Sequence, residues 1–307
     1  MLKRLNSIPT LVISGTPPWT NVYGLARTLI ALSLLLTLIT NDVTTLFKPA
    51  AGINEYPSCS VYAVSIFCVL PNNYPNLELL KWISVLILLI VASGWRPRFT
   101  GILHWWVASS LQNTGITLDG GEQVATVLTL LLIPVTLFDH RKWHWLPPRS
   151  DNTMTSTGIP HLISFLFLFS IRVQMAIIYF NAALSKLKNK EWIDGTAIYY
   201  YFHDPMLGLN SFLLSLLNPL IESSFVVLLT WGTIIVELLL GSGIVAHKEK
   251  RFFFLYLGLA LHTLIAICLG LYSFSLVMFA GLILAFRPFE HSFGKKISMD
   301  SLKEVHQ

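Results

Sequence analysis

The chain has 307 residues, of which 54% are hydrophobic and only 12% are charged, and its mean hydropathy is +0.63. A soluble domain carries about a quarter charged residues, so this composition excludes the soluble globular class. The net charge of +5 does not call for nucleic acid, because basic residues cluster in some inter-helix segments and avoid others, as orientation in a membrane requires. We therefore predict an all-α, polytopic helical membrane protein whose surroundings are a lipid bilayer, with no nucleic-acid partner.

Apolar runs recur along nearly the whole chain, and most are long enough to cross a hydrocarbon core about 30 Å thick. They predict about eight transmembrane helices, at residues 22–40, 77–93, 100–113, 124–138, 161–184, 225–245, 252–269 and 273–286. The first run follows Lys3 and Arg4, as a signal peptide would. It is longer than the apolar region of such a peptide and lacks a small-residue cleavage site, so we interpret it as a retained helix.

We predict a single transmembrane domain at residues 1–290, followed by a polar tail at 291–307. A polar, basic segment at 139–160 divides the helices into two groups of four and is predicted to be cytoplasmic. His140 and His144 lie one helical turn apart in this segment. No cluster of acids or cysteines accompanies them, so we predict an interfacial loop and no metal site.

The distribution of lysine and arginine predicts that both termini are cytoplasmic. With eight spans, this orientation places the basic turns at 94–98 and 247–251 on the cytoplasmic side. The opposite side receives Lys48, a base-free turn at 114–123, and a group of three lysines, Lys186, Lys188 and Lys190. Because only these three lysines contradict the orientation bias, the stretch at 172–201 is the first candidate for a working site.

Ionisable side chains inside apolar helices are costly and mark functional positions in membrane proteins by default. Glu237 and His262 lie midway along consecutive helices, which are predicted to be neighbours and to allow a Glu237–His262 pair. The alternatives for Glu237 are a structural hydrogen bond between helices and a role as proton acceptor or orienting partner. Arg172 lies within the fifth helix. Arg27, in the first helix, either extends to the cytoplasmic interface or pairs with an acid on another helix.

Lys186 follows an apolar helix and precedes Leu187, so its ammonium is expected to be partly desolvated. Desolvation favours the neutral amine, which can act as a base or a nucleophile. The alternative is a solvated lysine at the end of a helix.

The long segment at 41–76 contains Cys59 and Cys68. On the predicted orientation this segment is extracytoplasmic, where a disulfide can form and persist. The two cysteines are therefore a disulfide candidate, and the alternative is a pair of apolar cysteines in a packed loop.

Residues 180–201, FNAALSKLKNKEWIDGTAIYYY, resemble the segment of the vitamin K-dependent gamma-carboxylases that carries their catalytic lysine. Lys186-Leu187, Trp192 and Asp194-Gly195 match it, with one extra residue between Leu187 and Trp192. These enzymes and their bacterial relatives, the horizontally transferred transmembrane domain proteins, also have an acid-bearing helix followed by a histidine-bearing helix. Glu237 and His262 resemble those two positions.

Two further features resemble the bacterial relatives. Arg27 resembles their first-helix arginine, and the turn that contains Glu122 resembles the entry to their fourth helix. The resemblance implies no vitamin K for this chain, because the large lumenal domain of the carboxylases is absent. Gly-Glu-Gln also replaces the histidine and asparagine that those enzymes use near the fourth helix. Whether this chain binds any cofactor is left open.

Within that superfamily, the chain resembles the sporulation-delaying protein B family over essentially its full length. The matching stretches are NVYGLARTLIALS, SIFCVLPNN, DGGEQ and the lysine segment. This resemblance implies a multi-pass protein of the bacterial plasma membrane that serves the maturation of a secreted peptide toxin. The implied partners are the toxin precursor and a small companion protein of the same pathway.

On this resemblance, the predicted catalytic residues are Lys186 as a base and Glu237 and His262 in support. The residues predicted to bind substrate are Trp192, Asp194, Tyr199, Glu122, Arg27 and Arg172. Two alternatives stand beside this hypothesis. One is a non-enzymatic scaffold or exporter for the peptide, and the other is a quinone- or lipid-modifying enzyme that keeps more of the carboxylase chemistry.

Overall fold

The computed structural model describes residues 17–49, 56–57, 59, 64–116, 118–147 and 158–287. In these ranges the regular structure is helical, and the one strand-like pairing is an isolated bridge between Trp95 and Trp143. The predicted all-α class is therefore confirmed. The long helices are α1 (Asn21–Thr40), α2 (Tyr74–Ser93), α3 (Pro97–Thr114), α4 (Gly120–Leu137), α5 (Ile159–Lys186), α6 (Phe225–Ser242), α7 (Arg251–Leu269) and α8 (Tyr272–Phe286).

Within the described ranges, six segments are long and apolar enough to cross a membrane. They are Asn21–Thr40, Tyr74–Ser93, Gly120–Leu137, Ile159–Lys186, Phe225–Val245 and Lys248–Leu269, and they define a multi-pass membrane protein. The other two long helices fall outside this group for different reasons, since α3 is interrupted by polar residues and α8 has only 15 residues. The count of eight spans and the orientation of the termini stay predictions.

Helix α8 lies at the centre of the bundle. It packs against α1, α4, α5 and α7, and most of its residues are buried. A helix that is apolar on every face suits such an interior position. α8 therefore joins the first four helices, α1 to α4, to the group formed by α5, α6 and α7.

The outer helices present apolar faces away from the bundle. On α2, the exposed large side chains recur at intervals of three and four residues, as one face of a helix requires. They are Leu79, Trp82, Ile83, Leu86, Leu89 and Ile90. This spacing gives α2 a continuous surface for contact with lipid.

Glycines allow the helices of the bundle to approach closely, as small residues do in membrane proteins. Gly258 of α7 faces Leu282 of α8, and a Cβ atom added to the glycine would lie 2.5 Å from the leucine side chain. Gly101 of α3 faces Thr136 of α4, and there an added Cβ would overlap the threonine hydroxyl and lie 2.7 Å from its Cβ.

The segment between α1 and α2 contacts the bundle through its C-terminal part. The backbone N–H of Ile66 donates to the hydroxyl of Ser110 in α3, and the rings of Phe67 and Phe47 are 4.6 Å apart. Cys59 and Cys68 are joined in a disulfide whose Cα atoms are 5.7 Å apart. The structure thus pairs the two cysteines that the sequence named as a candidate.

Substitution of Gly101 by alanine is expected to destabilise the protein, whereas the same change at Gly232 is not. The Thr136 Cβ is fixed by its backbone, so overpacking at Gly101 costs about 1–3 kcal/mol. The gain in helix propensity is at most about 1 kcal/mol. Gly232 of α6 has no heavy atom within 4 Å of an added Cβ. Thermal unfolding in detergent should show a lower midpoint for Gly101→Ala only, and equal midpoints would contradict this account of the α3–α4 contact.

Candidate functional site

A cavity of about 520 Å³ lies between α5, α6, α7 and the start of α8. Two short helices between α5 and α6, Ala197–Phe202 and Ser211–Ile221, contribute to its wall. The volume is in the range of small-ligand sites. The wall is mainly apolar, and its polar side chains include Tyr179, Lys186, Trp192, Glu237 and His262.

Lys186 and Glu237 form an ion pair at this wall. Lys186 ends α5, and its Nζ donates to both carboxylate oxygens of Glu237 in α6, over 2.7 and 2.9 Å. The side chains are only 21% and 9% exposed, and the Lys186 Nζ lies 5.1 Å from the centroid of the Trp192 ring. The carboxylate and the ring face are both electrostatic partners of a lysine ammonium. This counter-ion lies 51 residues away in the sequence, and the sequence alone does not identify it.

His262 bonds to a residue that the sequence analysis did not name. Its Nε2 lies 2.9 Å from the hydroxyl of Tyr179, and its backbone carbonyl accepts a hydrogen bond from Ser275 of α8. The Nδ1 atom is buried without a hydrogen-bond partner among the described residues. The expected Glu237–His262 pair is therefore replaced by two pairs, Lys186–Glu237 and Tyr179–His262, that line the same cavity.

The sequence contained a signal for Tyr179. It precedes Lys186 by seven residues in α5, and residues seven apart lie on the same face of a helix. A search for side chains in register with Lys186 would have found it. A tyrosine in an apolar helix carries no charge, so it does not stand out as the costly ionisable groups do.

Trp192 is the one predicted substrate-binding residue that lines the cavity. Asp194 is exposed at the end of a short helix, Lys190–Ile193. The ring centroids of Tyr199 and His203 are 4.3 Å apart. Tyr199 does not line the cavity, whereas Tyr201 does.

Glu122 lies in α4 outside the cavity wall. It is buried, and its Oε1 accepts a hydrogen bond of 2.7 Å from Thr37 in α1. The preceding Gly121 lies so close to α8 that an added Cβ would be 3.0 Å from the Cα of Phe274. Phe274 lines the cavity, and its ring centroid is 5.5 Å from that of His262. The turn therefore lies against α8 beside the cavity without lining it.

Arg172 bonds within the bundle and does not line the cavity. Its Nε donates to the carbonyl of Ala285 in α8 over 2.7 Å. Arg172 therefore connects α5 to the central helix.

Arg27 belongs to a second polar cluster, at the end of the bundle where α5 begins. Lys186 is at the other end of this 28-residue helix, about 40 Å away at 1.5 Å per residue. Arg27 is fully buried, donates to the Thr100 hydroxyl over 2.5 Å, and approaches His144 Nδ1 at 3.4 Å. Arg27 does not reach the surface, so it does not extend to the interface. It also makes no hydrogen bond to a carboxylate of the described residues, so the predicted pairing with an acid on another helix is not found there either.

His144 is buried, although the sequence analysis placed it in an interfacial loop. It fills the space left by Gly94, where an added Cβ would lie 2.5 Å from the imidazole. Arg27 donates to Nδ1, and Nε2 faces the Thr28 hydroxyl at 3.3 Å, whose own proton goes to a carbonyl of α2. These contacts fit a neutral imidazole protonated at Nε2. Burial, with the charges of Arg27 and Arg141, lowers the pKa of His144 to about 2.

In the ranges covered by the structure, no three histidine, cysteine, aspartate or glutamate side chains are grouped to hold a metal ion. Of the cysteines, Cys268 is free and half-buried, and it lines the cavity.

Two proteins of Bacillus subtilis (strain 168) are similar to this chain over nearly its whole length. The uncharacterized protein YitO is 45% identical over 273 residues, which cover 89% of this chain and 87% of YitO. The sporulation-delaying protein SdpB is 40% identical over 291 residues, which cover 95% of this chain and 88% of SdpB. No protein-family model and no solved structure matches the chain. The two alignments compare the helical bundle as a whole and not one segment of it.

Breaking the Lys186–Glu237 pair from either side is expected to destabilise the protein. Lys186→Met leaves a buried carboxylate unpaired, and Glu237→Gln does the same to the ammonium. Each change should cost about 2–4 kcal/mol of unfolding free energy. The double variant should cost at least about 1.5 kcal/mol less than the sum of the two single changes.

Chemical unfolding in detergent micelles measures this double-mutant cycle. Lys188→Met is the matched control, because Lys188 is exposed and its loss should change stability by less than about 0.5 kcal/mol. Strictly additive single changes would show that the two side chains do not depend on each other.

The buried neutral state of His144 predicts a loss of stability in acid. The unfolded histidine has a pKa of about 6.5, and the folded one about 2, so the unfolded state binds more protons between these values. The histidine's contribution should fall by about 1.4 kcal/mol between pH 7.5 and pH 5.5. Unfolding of wild type and His144→Gln at the two pH values should show that the glutamine variant lacks this part of the loss.

His140→Gln serves as the control for this pH experiment. His140 is exposed, so its variant should keep the pH dependence of the wild type. An equal pH dependence in wild type and His144→Gln would contradict the buried neutral imidazole.

Proposed function

Because this chain belongs to the family of the sporulation-delaying protein SdpB, we propose that it serves the production of a secreted, sporulation-delaying peptide toxin. Family membership, which the sequence motifs indicated, rests on 40% identity over 95% of the chain. On this proposal the protein lies in the bacterial plasma membrane. Its partners are the toxin precursor and a small companion protein of the same pathway.

The observation that carries a chemical role is the Lys186–Glu237 pair at the wall of an otherwise apolar cavity. A buried ion pair is a poor stabilising device, because removing two charges from water costs about as much as their attraction returns. A single apolar contact would hold α5 to α6 at lower cost. The pair is therefore better explained by its chemistry than by its contribution to folding.

In our proposal Lys186 becomes a base when substrate fills the cavity and excludes water. Dehydration destabilises the charged pair relative to the neutral one. The proton on Nζ then passes to the carboxylate that already accepts it at 2.7 Å. The neutral amine can take a proton from the substrate, and Glu237 retains the first proton until the cavity opens.

Tyr179 and His262 supply polar contacts beside this base. A hydroxyl and an imidazole in contact can hold a substrate carbonyl or relay a proton. With Glu237, they give Lys186 the supporting groups that the carboxylase resemblance implies. We accordingly propose that the chain also belongs to the wider superfamily of gamma-carboxylases and horizontally transferred transmembrane domain proteins.

The apolar wall fits the hydrophobic side chains of a membrane-associated peptide. Leu220 and Leu264 line the cavity and are exposed. They lie on the helix Ser211–Ile221 and on α7, and in our proposal the cavity opens between these two elements. A substrate that rests on the membrane could enter by this route without crossing bulk water.

The same opening supports a second candidate function, a quinone- or lipid-modifying enzyme, because a lipid-like molecule in the membrane would meet the same apolar rim. A non-enzymatic scaffold or exporter is the remaining alternative, and in it the ion pair only joins α5 to α6. These alternatives differ in whether they require the chemistry of Lys186. They also differ in which product, the secreted peptide or the membrane lipid, changes when Lys186 is replaced.

Replacement of Lys186 in toxin-producing cells tests the proposal. Cells that lack this protein should secrete no active toxin, and wild type or Lys188→Met should restore it. Lys186→Met should restore none, and Lys186→Arg should also fail, because an arginine keeps the charge opposite Glu237 but does not lose its proton. Mass spectrometry of the secreted peptide, with membrane levels of each variant checked by immunoblot, provides the measurement.

The arginine variant separates the alternatives. A scaffold predicts that Lys186→Arg, if it is as stable as wild type, yields fully active mature peptide. A lipid- or quinone-modifying enzyme predicts an unchanged peptide and an altered membrane lipid in the Lys186 variants. Normal toxin in cells without the protein would refute the proposed role in its production.

A further inference from the structure

A basic aromatic surface lies at the end of the bundle opposite the cavity. Two chain segments form it: the turn between α2 and α3, and the stretch that follows α4. Its exposed residues are Trp95, Arg96, Arg98 and Phe99 from the turn, and Lys142, Trp143, Trp145 and Leu146 from the stretch. Three cations and five large apolar side chains are thus gathered on one face.

Backbone hydrogen bonds fix the two segments to each other. The Arg96 N–H donates to the carbonyl of Lys142 over 2.8 Å, and the His144 N–H donates to the carbonyl of Gly94 over 3.0 Å. The indole of Trp145 donates to the carbonyl of Ser93. The surface is therefore held in shape before any ligand arrives, which lowers the entropic cost of binding.

The cations of this surface lack counter-ions in the described part of the chain. Arg96 and Lys142 make no side-chain hydrogen bond or ion pair there, and Arg98 only approaches His140, at 3.5 Å. The acid of this region, Asp139, is buried, and its oxygens are taken by Tyr23 and Arg141. Among the residues that the structure describes, these three positive charges therefore have no carboxylate partner.

The backbone at Arg96 is strained. Its φ of +40° lies in the left-handed region, which glycine adopts readily and which costs other residues of order 1 kcal/mol or more. Glycine would adopt this backbone conformation at a lower energetic cost. An arginine held at this cost points to a use for its side chain outside the fold.

The surface lies where apolar helices end and water begins. α2 ends at Ser93 and α4 at Leu137, and tryptophans concentrate at this level of membrane proteins. Phe99 and Leu146 are 63% and 46% exposed, which suits contact with acyl chains. On the predicted orientation this is the cytoplasmic side, whose leaflet carries anionic lipid.

We propose that the basic aromatic surface binds the headgroup of an anionic phospholipid. Arg96, Arg98 and Lys142 bind the phosphate, and the exposed indoles lie at the boundary with the acyl chains. The apolar side chains would contribute nothing to a free phosphate ion, so the arrangement favours a lipid over a soluble anion.

Thermal unfolding in mixed micelles tests this proposal. Phosphatidylglycerol should raise the midpoint of the wild type by several degrees over phosphatidylcholine with the same acyl chains. A triple variant, Arg96→Gln, Arg98→Gln and Lys142→Gln, should lose at least half of this difference. The charge-matched control is Lys48→Gln, Lys188→Gln and Lys190→Gln, which removes three exposed lysines elsewhere and should keep the wild-type response.

Arg96→Gly gives a second measurement that does not depend on the triple variant. Removal of the strain should raise the midpoint in phosphatidylcholine, while the response to phosphatidylglycerol falls. Inorganic phosphate and glycerol phosphate, added to phosphatidylcholine micelles at equal charge, should leave the midpoint unchanged.

Two outcomes would overturn the assignment. The surface is not the binding site if the triple variant and the charge-matched control respond equally to phosphatidylglycerol. The ligand is not a lipid if inorganic phosphate alone reproduces the stabilisation. Native mass spectrometry, by counting the phosphatidylglycerol molecules bound to wild type and triple variant, distinguishes specific binding from a change in the micelle.

Discussion

A polar group inside a membrane protein must find its partner on another helix, because no water is there to satisfy it. This constraint explains the main polar contacts of the bundle. Lys186 bonds to Glu237 between α5 and α6, and Tyr179 bonds to His262 between α5 and α7. Arg172 bonds to a carbonyl of α8. Each contact joins two different helices, so the polar side chains of α5 find their partners on α6, α7 and α8.

The helices and three residues of the candidate site could be predicted from the sequence, but the contacts between those residues could not. The eight predicted runs all correspond to helices, because hydrophobic length is a local property. Lys186, Glu237 and His262 line one cavity, yet their partners depend on how each helix is rotated and how deep it lies. Those quantities are set by packing between helices that are far apart in sequence, such as the 51 residues that separate Lys186 from Glu237.

The residues whose positions differ from the prediction show the same limit of sequence reasoning. A polar residue in an apolar run signals a buried contact but does not say which cluster it joins. Arg27 and Glu122 are buried as the cost of exposure to lipid would predict, but neither lines the cavity. His144 was assigned to the surface because its neighbours in sequence are basic. Only the space beside Gly94 and the arginine beneath it explain why the imidazole is inside.

The central position of α8 has a consequence for how the protein is made. This helix follows the other seven in sequence, yet it packs against α1, α4, α5 and α7. The contacts of α8 with these four helices can therefore form only after all the other long helices have been made. Both groups of helices thus acquire their shared partner last, so a chain that stops before α8 lacks the helix that contacts both groups.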